Sequence, residues 1–175
     1  MSNVNPEKEN IRLRPLTQER LKSLYSYDDT TGELTRLVRT NYNNAKPGAV
    51  AGTTIKHGYK VIKIDYKRFL VHRLVWLYMT GRMPSSHIDH IDGDTGNNRF
   101  GNLREASPNI NNQNVHRARA DNQNGHLGVS RCKNSFQARI FKDGKSHYLG
   151  SFKSPELAHE AYLAAKRRMH AGCTI

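Results

Sequence analysis

Apolar residues along the first half of the chain change period repeatedly, and each change predicts a new element. Leu21, Leu24 and Tyr25 recur at helical spacing behind Thr17, a residue suited to an N-cap, so a short helix is expected over 16–25. Asp28-Asp29-Thr30-Thr31-Gly32 reads as a turn, with a strand from Glu33 to Val38 after it. Residues 48–54 are glycine-rich and irregular. From Gly58 to Val71 the pattern alternates apolar and polar, which predicts two strands around a turn near Asp65 to Lys67. His72 to Met79 is an apolar helix stopped by Gly81 and Pro84, with His72 and Arg73 at its start either packed or facing a partner.

The middle of the chain is dense in Asn, Asp and Gly. His87 to Ile91 predicts one short strand, Gly93 to Asn98 a loop, and Phe100 to Ala106 a second strand. Ser107 and Pro108 then supply the cap and first position of a helix running towards Arg117. After a polar stretch the alternation returns. Leu127 to Arg131, Ser135 to Lys142 and Lys145 to Phe152 predict three antiparallel strands, the last two joined by the hairpin dipeptide Asp143-Gly144. Ser154 and Pro155 open a final helix whose stripe is Leu157, Ala158, Ala161, Tyr162 and Ala165.

The division that follows is a polar arm at 1–15, a strand-and-helix scaffold at 16–84, a compact polar module at 85–117, a linker at 118–124 and a sheet-and-helix module at 125–171. The class is α+β. Charge adds a partner to this outline. Lys and Arg number 28 against 15 Asp and Glu, a formal net charge of +13 spread along the chain, which favours a polyanion, nucleic acid before an anionic membrane. No apolar run approaches the roughly 20 residues that span a bilayer, and a cytoplasmic setting is expected. Cys132 and Cys173 are too few for a disulfide framework or a four-thiolate zinc site. A metal would therefore be held by oxygen and nitrogen.

The chemistry concentrates in the middle. Asp89 and His90 are adjacent, Asn102-Leu103 follows twelve residues after His90, and Asn111 lies nine beyond Asn102. An imidazole beside a carboxylate, with amides returning to the same region, can hold a hydrated cation next to a general base. His87 shares the strand face of Asp89 under strict alternation and is read either as an extra ligand or as a surface residue. Asp92 and Asp94 read as loop-shaping carboxylates, and Asn97 and Asn98 as loop-bonding amides. A calcium loop opening at Asp92 fails, because its turn position would be Asn97 and its closing position Leu103.

Asp89-His90-Ile91-Asp92-Gly93-Asp94, Asn97-Asn98, Asn102-Leu103-Arg104 and Asn111 resemble the HNH endonuclease motif. The likeness is to its phage and intron-associated branch, in which the last His of the name is replaced by Asn. Val71-His72-Arg73-Leu74-Val75-Trp76 resembles the helix that precedes the motif there, so the likeness spans 17–114. The resemblance implies a ββα-metal fold with His90 as general base and Asp89 with Asn111 holding one Mg²⁺ or Mn²⁺ ion. It implies that Asn102 braces the loop and orients His90, and that products carry 5′-phosphate and 3′-hydroxyl ends. One ion is expected, since Asp89 is the sole carboxylate at a clear ligand position.

Gly128-Val129-Ser130, Phe136 to Ile140, Tyr148 to Phe152 and Ala158 to Ala165 resemble the Apetala-two/ERF-type DNA-binding domain, which implies that the sheet enters the major groove. Alternation then turns Val129, Phe136, Ala138, Ile140 and Leu149 towards the helix. Ser130, Gln137, Arg139, Ser146 and Tyr148 face DNA, with Arg131, Lys133, Lys142 and Lys145 at the rims. Arg117 and Arg119 in the preceding basic stretch read as phosphate contacts or as solvated charges. Lys166, Arg167 and Arg168 suit the C-terminal end of the last helix. The expectation is a metal-dependent endonuclease acting on double-stranded DNA, phage-encoded and of the homing type, with a monomer favoured. The alternative is a non-catalytic, sequence-specific DNA-binding protein.

Overall fold

The computed structural model describes residues 15–39, 46–116, 118, 122 and 124–175. Residues 1–14 of the arm expected at 1–15, and the cations Arg117 and Arg119, lie outside the described residues. The chain divides into two compact units, Met1–Glu105 and Ala106–Ile175.

The first unit opens with α1 (Gln18–Leu24), capped by the Thr17 hydroxyl, which accepts from the Arg20 amide at 3.2 Å. Leu21 and Leu24 are buried as the stripe requires. Tyr25 is buried too, but it ends the helix and starts β1 (Tyr25–Asp28), which pairs antiparallel with β2 (Glu33–Arg36). The helix expected over 16–25 is thus confined to Gln18–Leu24, and the strand beside it was hidden behind the same apolar residue. Asp28 fastens the turn by accepting from the Thr30 amide at 2.9 Å and the Thr30 hydroxyl at 2.7 Å.

A second sheet runs in the order β3 (Thr53–Thr54), β4 (Lys60–Ile64) and β5 (Lys67–Leu70). β4 and β5 close through Asp65-Tyr66, both with positive φ, in register Ile64 to Lys67. Helix α2 (Val71–Thr80) follows and stops at Gly81, whose left-handed φ of 78° lets its amide bond the Leu77 carbonyl. Arg73 donates to the carbonyls of Ser86 and Pro84, both at 3.1 Å, so it ties the helix to the chain after it. The core joins Leu21, Leu24, Tyr25, Leu34, Ile62, Ile64, Leu74, Val75 and Leu77 with Ile88 and Leu103. The last two belong to β6 (His87–His90) and β7 (Leu103–Ala106), which pair with each other. Core packing therefore fixes the strand that carries Asp89 and His90. The expected strand from Phe100 begins only at Leu103, because Phe100–Asn102 forms a 3-10 turn.

The second unit begins with α3 (Pro108–Gln113), capped by the Ser107 hydroxyl, which accepts from the Ile110 amide at 3.3 Å. It ends short of the expected run towards Arg117. The Gln113 side chain accepts from the Gly172 amide at 3.1 Å, so the C-terminal turn of the chain closes on this helix. The sheet has the order β10 (Lys145–Phe152), β9 (Ser135–Lys142), β8 (Val129–Cys132). Asp143 and Gly144 both take positive φ in its hairpin, as a tight two-residue turn demands. Helix α4 (Pro155–Met169) is capped by Ser154 and buries Ala158, Tyr162 and Ala165 against Val129, Ala138 and Ile140. Leu157 departs from the expected stripe and is half exposed, since only part of the helix face meets this small sheet. Lys166 is a second correction: it is buried, and its ammonium donates to the Val115 carbonyl. Among the described residues no helix is long and apolar enough to cross a membrane.

Candidate active site

The first unit contains a cluster of buried polar side chains, His72, Asp89, His90 and Asn98, built on α2, β6 and the loop behind it. Ile88, Asp89 and His90 are all buried, so the strand is covered on both faces, whereas His87 is exposed and sits at the surface. The His90 ring stacks edge-on against His72, with centroids 5.1 Å apart, and lies 6.0 Å from the Tyr59 ring. Burial pushes the His90 imidazole below its ordinary pKa, opposed by its bond to Asn98 and by Asp92, Asp89 and Asp94. His90 thus stays neutral and able to accept a proton at neutral pH.

The loop decides which nitrogen does so. His90 Nε2 lies 3.2 Å from Asn98 Oδ1, and the Asn98 amide donates from its nitrogen to the Gly96 carbonyl at 3.1 Å. The amide is therefore oriented with its oxygen towards the ring. An amide oxygen only accepts, so this network assigns the proton to Nε2 and the basic lone pair to Nδ1. Asn98 is 1% exposed, which makes this hydrogen bond hard to exchange for water.

Asn102 braces the loop directly. Its oxygen accepts from the Asp92 amide at 3.0 Å, and its nitrogen donates to Asp92 Oδ1 and the Asn97 carbonyl, both at 2.9 Å. Its effect on His90 runs through that loop, and the side chain that bonds the imidazole is Asn98. Asp92 and Asp94 shape the turn: Asp92 accepts from the Asp94 amide at 2.8 Å and from Asn97 at 2.6 Å, and Asp94 accepts from the Gly96 amide at 2.9 Å. Burial works against the Asp92 carboxylate, but these donors outweigh it and hold its pKa below the usual range.

Support arrives from about 70 residues earlier in the chain. The Tyr27 hydroxyl accepts from the Phe100 amide at 2.8 Å and lies 3.1 Å from the Asn98 carbonyl. Gly32, at φ +74°, presses on the same segment: a Cβ there would meet Arg99 N at 2.5 Å. The β1–β2 hairpin therefore buttresses the loop that aims Asn98 at His90.

Asp89 is held across the strand pair by Arg104, whose Nε and second guanidinium nitrogen lie 2.9 and 2.8 Å from Asp89 Oδ2. One residue further on, Glu105 receives a two-pronged contact from Arg82, at 3.2 and 2.6 Å, and a 2.6 Å bond from the Ser85 amide. The Arg82 guanidinium bonded to it holds the Glu105 carboxyl down to about 2. Among the described residues no group of three or more His, Cys, Asp and Glu is arranged to hold a metal. A single carboxylate with amide oxygens is a hard donor set that suits Mg²⁺ or Mn²⁺ completed by water, and does not suit a soft thiophilic ion. Asn111 lies on α3, partly exposed, in the second unit.

His72 offers a test of this buried cluster. Burial, with the charges of His90 and Arg73 adding to it, depresses its pKa to about 3. The unfolded chain takes this proton near pH 6.5 and the folded chain does not until about 3. Stability is therefore full above 6.5 and is lost as pH falls through the window to 3. Between pH 7.5 and pH 5 the stability that His72 contributes should fall by about 2 kcal/mol. Urea unfolding followed by Trp76, the chain's one tryptophan, reads the first unit. The pH dependence should shrink in His72→Gln, and an unchanged slope would remove His72 as its source.

In the second unit the sheet alternates as expected. Val129, Ala138 and Ile140 are buried, while Ser130, Arg139, Ser146 and Tyr148 are exposed and Gln137 is partly so. The register aligns Ser130 with Gln137 and Tyr148 with Arg139, and the Arg139 guanidinium lies 5.5 Å from the Tyr148 ring centre. Arg131, Lys133 and Lys145 are exposed, and Lys142 is partly buried. Phe141, opposite Ser146 and 65% exposed, shares this outer face and was not anticipated from the sequence, although alternation with Arg139 marks it.

Two matches in sequence cover the centre of this picture. Residues 69–113, from β5 through α3, match the family model described as HNH endonuclease. The chain is similar to an uncharacterized HNH endonuclease of Acanthamoeba polyphaga mimivirus, 32% identical over 109 residues, which is 61% of this chain. The matched part spans 56% of that relative's length. Among solved structures it is similar to the HNH homing endonuclease I-HmuI, described for DNA binding and cleavage, with 23% identity and a TM-score of 0.41 over 85% of this chain and 88% of that one.

Proposed function

We propose that this chain is a metal-dependent DNA endonuclease, and the observation that carries the reading is the buried His90–Asn98 pair beside Asp89 within the segment matching the HNH endonuclease model. His90 Nδ1 takes a proton from a water molecule, which attacks phosphorus while the bond to the 3′-oxygen breaks, and the leaving oxygen takes a proton from solvent water. The products are a 5′-phosphate and a 3′-hydroxyl. Asn98 keeps the imidazole in the required tautomer and aim, and Asn102 keeps the loop that carries Asn98 in place. Asp89 and Asn111 are the residues that would hold the ion. When bound, Mg²⁺ or Mn²⁺ supplies Lewis-acid stabilisation of the charge that develops on the phosphate and leaving oxygen.

The net charge of +13 supports DNA as the partner. In the second unit, Ser130, Gln137, Arg139, Ser146 and Tyr148 form the reading face, an Apetala-two/ERF-like use of a sheet, and Arg131, Lys133, Lys142 and Lys145 contact phosphates. A viral genome and a homing role fit this combination of a cutter and a reader.

The end chemistry is tested with genomic DNA incubated in Mg²⁺, followed by adaptor ligation to 5′-phosphate ends without kinase treatment and sequencing. Ends above the EDTA control should be captured directly and recur at preferred positions. Ends that ligate only after kinase treatment would overturn the proposed direction of P–O cleavage.

A further inference from the structure

Asp89 is almost wholly buried, with a side chain 6% exposed, and its Oδ2 receives both guanidinium donors of Arg104 at 2.9 and 2.8 Å. A carboxylate so far from water needs a positive partner, and here that partner is an arginine on the neighbouring strand. The Arg104 side chain is itself 30% exposed, so it reaches solvent while its guanidinium grips Asp89. Both contacts fall on Oδ2, and a divalent cation at Asp89 would sit within a few ångströms of that guanidinium, so the two positive charges repel each other while they compete for one carboxylate. The planar fork of arginine also matches a phosphate as well as it matches a carboxylate.

We infer that Arg104 is a counter-ion switch, holding Asp89 in the metal-free protein and giving it up to the cation when a DNA phosphate offers the guanidinium another partner. The inference rests on Asp89 being a metal ligand, as proposed above. Its consequence is that DNA and metal bind cooperatively. DNA draws Arg104 off Asp89 and tightens the metal, and by linkage the metal tightens DNA to the same degree. The device also keeps the metal site weak until substrate is present. Arg104 acts here as a positioning residue.

The experiment measures Mn²⁺ affinity from the electron paramagnetic resonance of free Mn²⁺, with and without a duplex oligonucleotide. A His90→Ala background keeps the DNA intact. Without DNA, Arg104→Gln should bind Mn²⁺ on the order of tenfold more tightly than the background protein, with the site abolished by Asp89→Asn. DNA should tighten Mn²⁺ by a larger factor in the background protein than in Arg104→Gln, where only the direct contact of phosphate with the ion remains. Arg104→Lys, which keeps a charge without the fork and guards against a folding defect, should fall between. Mn²⁺ should also raise the melting temperature of Arg104→Gln by more than that of its parent. Asp89-dependent binding that is equal or weaker in Arg104→Gln would overturn the switch and leave the nuclease reading standing. Absence of any Asp89-dependent Mn²⁺ binding, with or without DNA, would overturn both the switch and the assignment of Asp89.

Discussion

His90→Ala should lower the single-turnover rate of DNA cleavage by about 10²- to 10⁴-fold, the range set by removing a general base. The side chain is buried against His72 and Tyr59, so the substitution also opens a small cavity and costs some stability in the first unit. Affinity for DNA measured in EDTA should be unchanged, because the proposed reading face lies on β8 to β10 of the second unit. The two measurements separate a lost base from a lost fold. A variant that still cuts at the wild-type rate removes His90 from the mechanism, whatever happens to its stability.

The largest effect on stability is expected at Gly128. It lies just before β8 at φ +71°, and its carbonyl accepts from the Arg139 amide at 2.9 Å. A Cβ there would stand 1.9 Å from Cδ2 of Tyr162, the aromatic anchor of α4. Neither the backbone nor the buried ring can yield cheaply, so Gly128→Ala combines left-handed strain with overpacking and should cost about 3 kcal/mol. Gly144 is the control. It takes φ +78° with nothing within 4 Å of a Cβ, so Gly144→Ala carries the conformational penalty alone, about 1 kcal/mol. Hydrogen exchange over β9 and β10 should show a far larger loss of protection for Gly128→Ala than for Gly144→Ala. Equal losses would mean that Tyr162 does not close on this glycine.

These two sites also show what the sequence carried. Short-range signals were legible. The cap at Thr17, the stop at Gly81, the Asp143-Gly144 hairpin and the Ser107 and Ser154 helix starts depend on chemistry within a few residues, and each appears where it was expected. The strand β1 was not legible, because Tyr25 completes a helical stripe as well as it begins a strand. Pairing with β2 decides between them, and that is a tertiary fact.

At the site, Asp89, His90 and Asn102 stand out by type and spacing. The partner of His90 did not, because Asn97, Asn98 and Asn102 are chemically alike. What selects Asn98 is the fold of the loop, set by the Tyr27 hydroxyl and by Gly32 pressing on residues 98–99. Arg104 was more accessible to reasoning. It lies on the strand paired with that of Asp89, and a buried carboxylate on one strand calls for a cation on the other. Lys166 could not be read from its place at a helix end, since burial against the Val115 carbonyl depends on where the preceding segment runs.

The most direct test of the account is conversion of supercoiled plasmid by the purified full chain in Mg²⁺ or Mn²⁺, beside EDTA and His90→Ala controls. The account predicts open-circle or linear product with wild type in metal, none in EDTA, and a rate at least about a hundredfold lower with His90→Ala. Plasmid that is bound by the wild-type protein yet stays supercoiled across both metals and several DNA sources would contradict it.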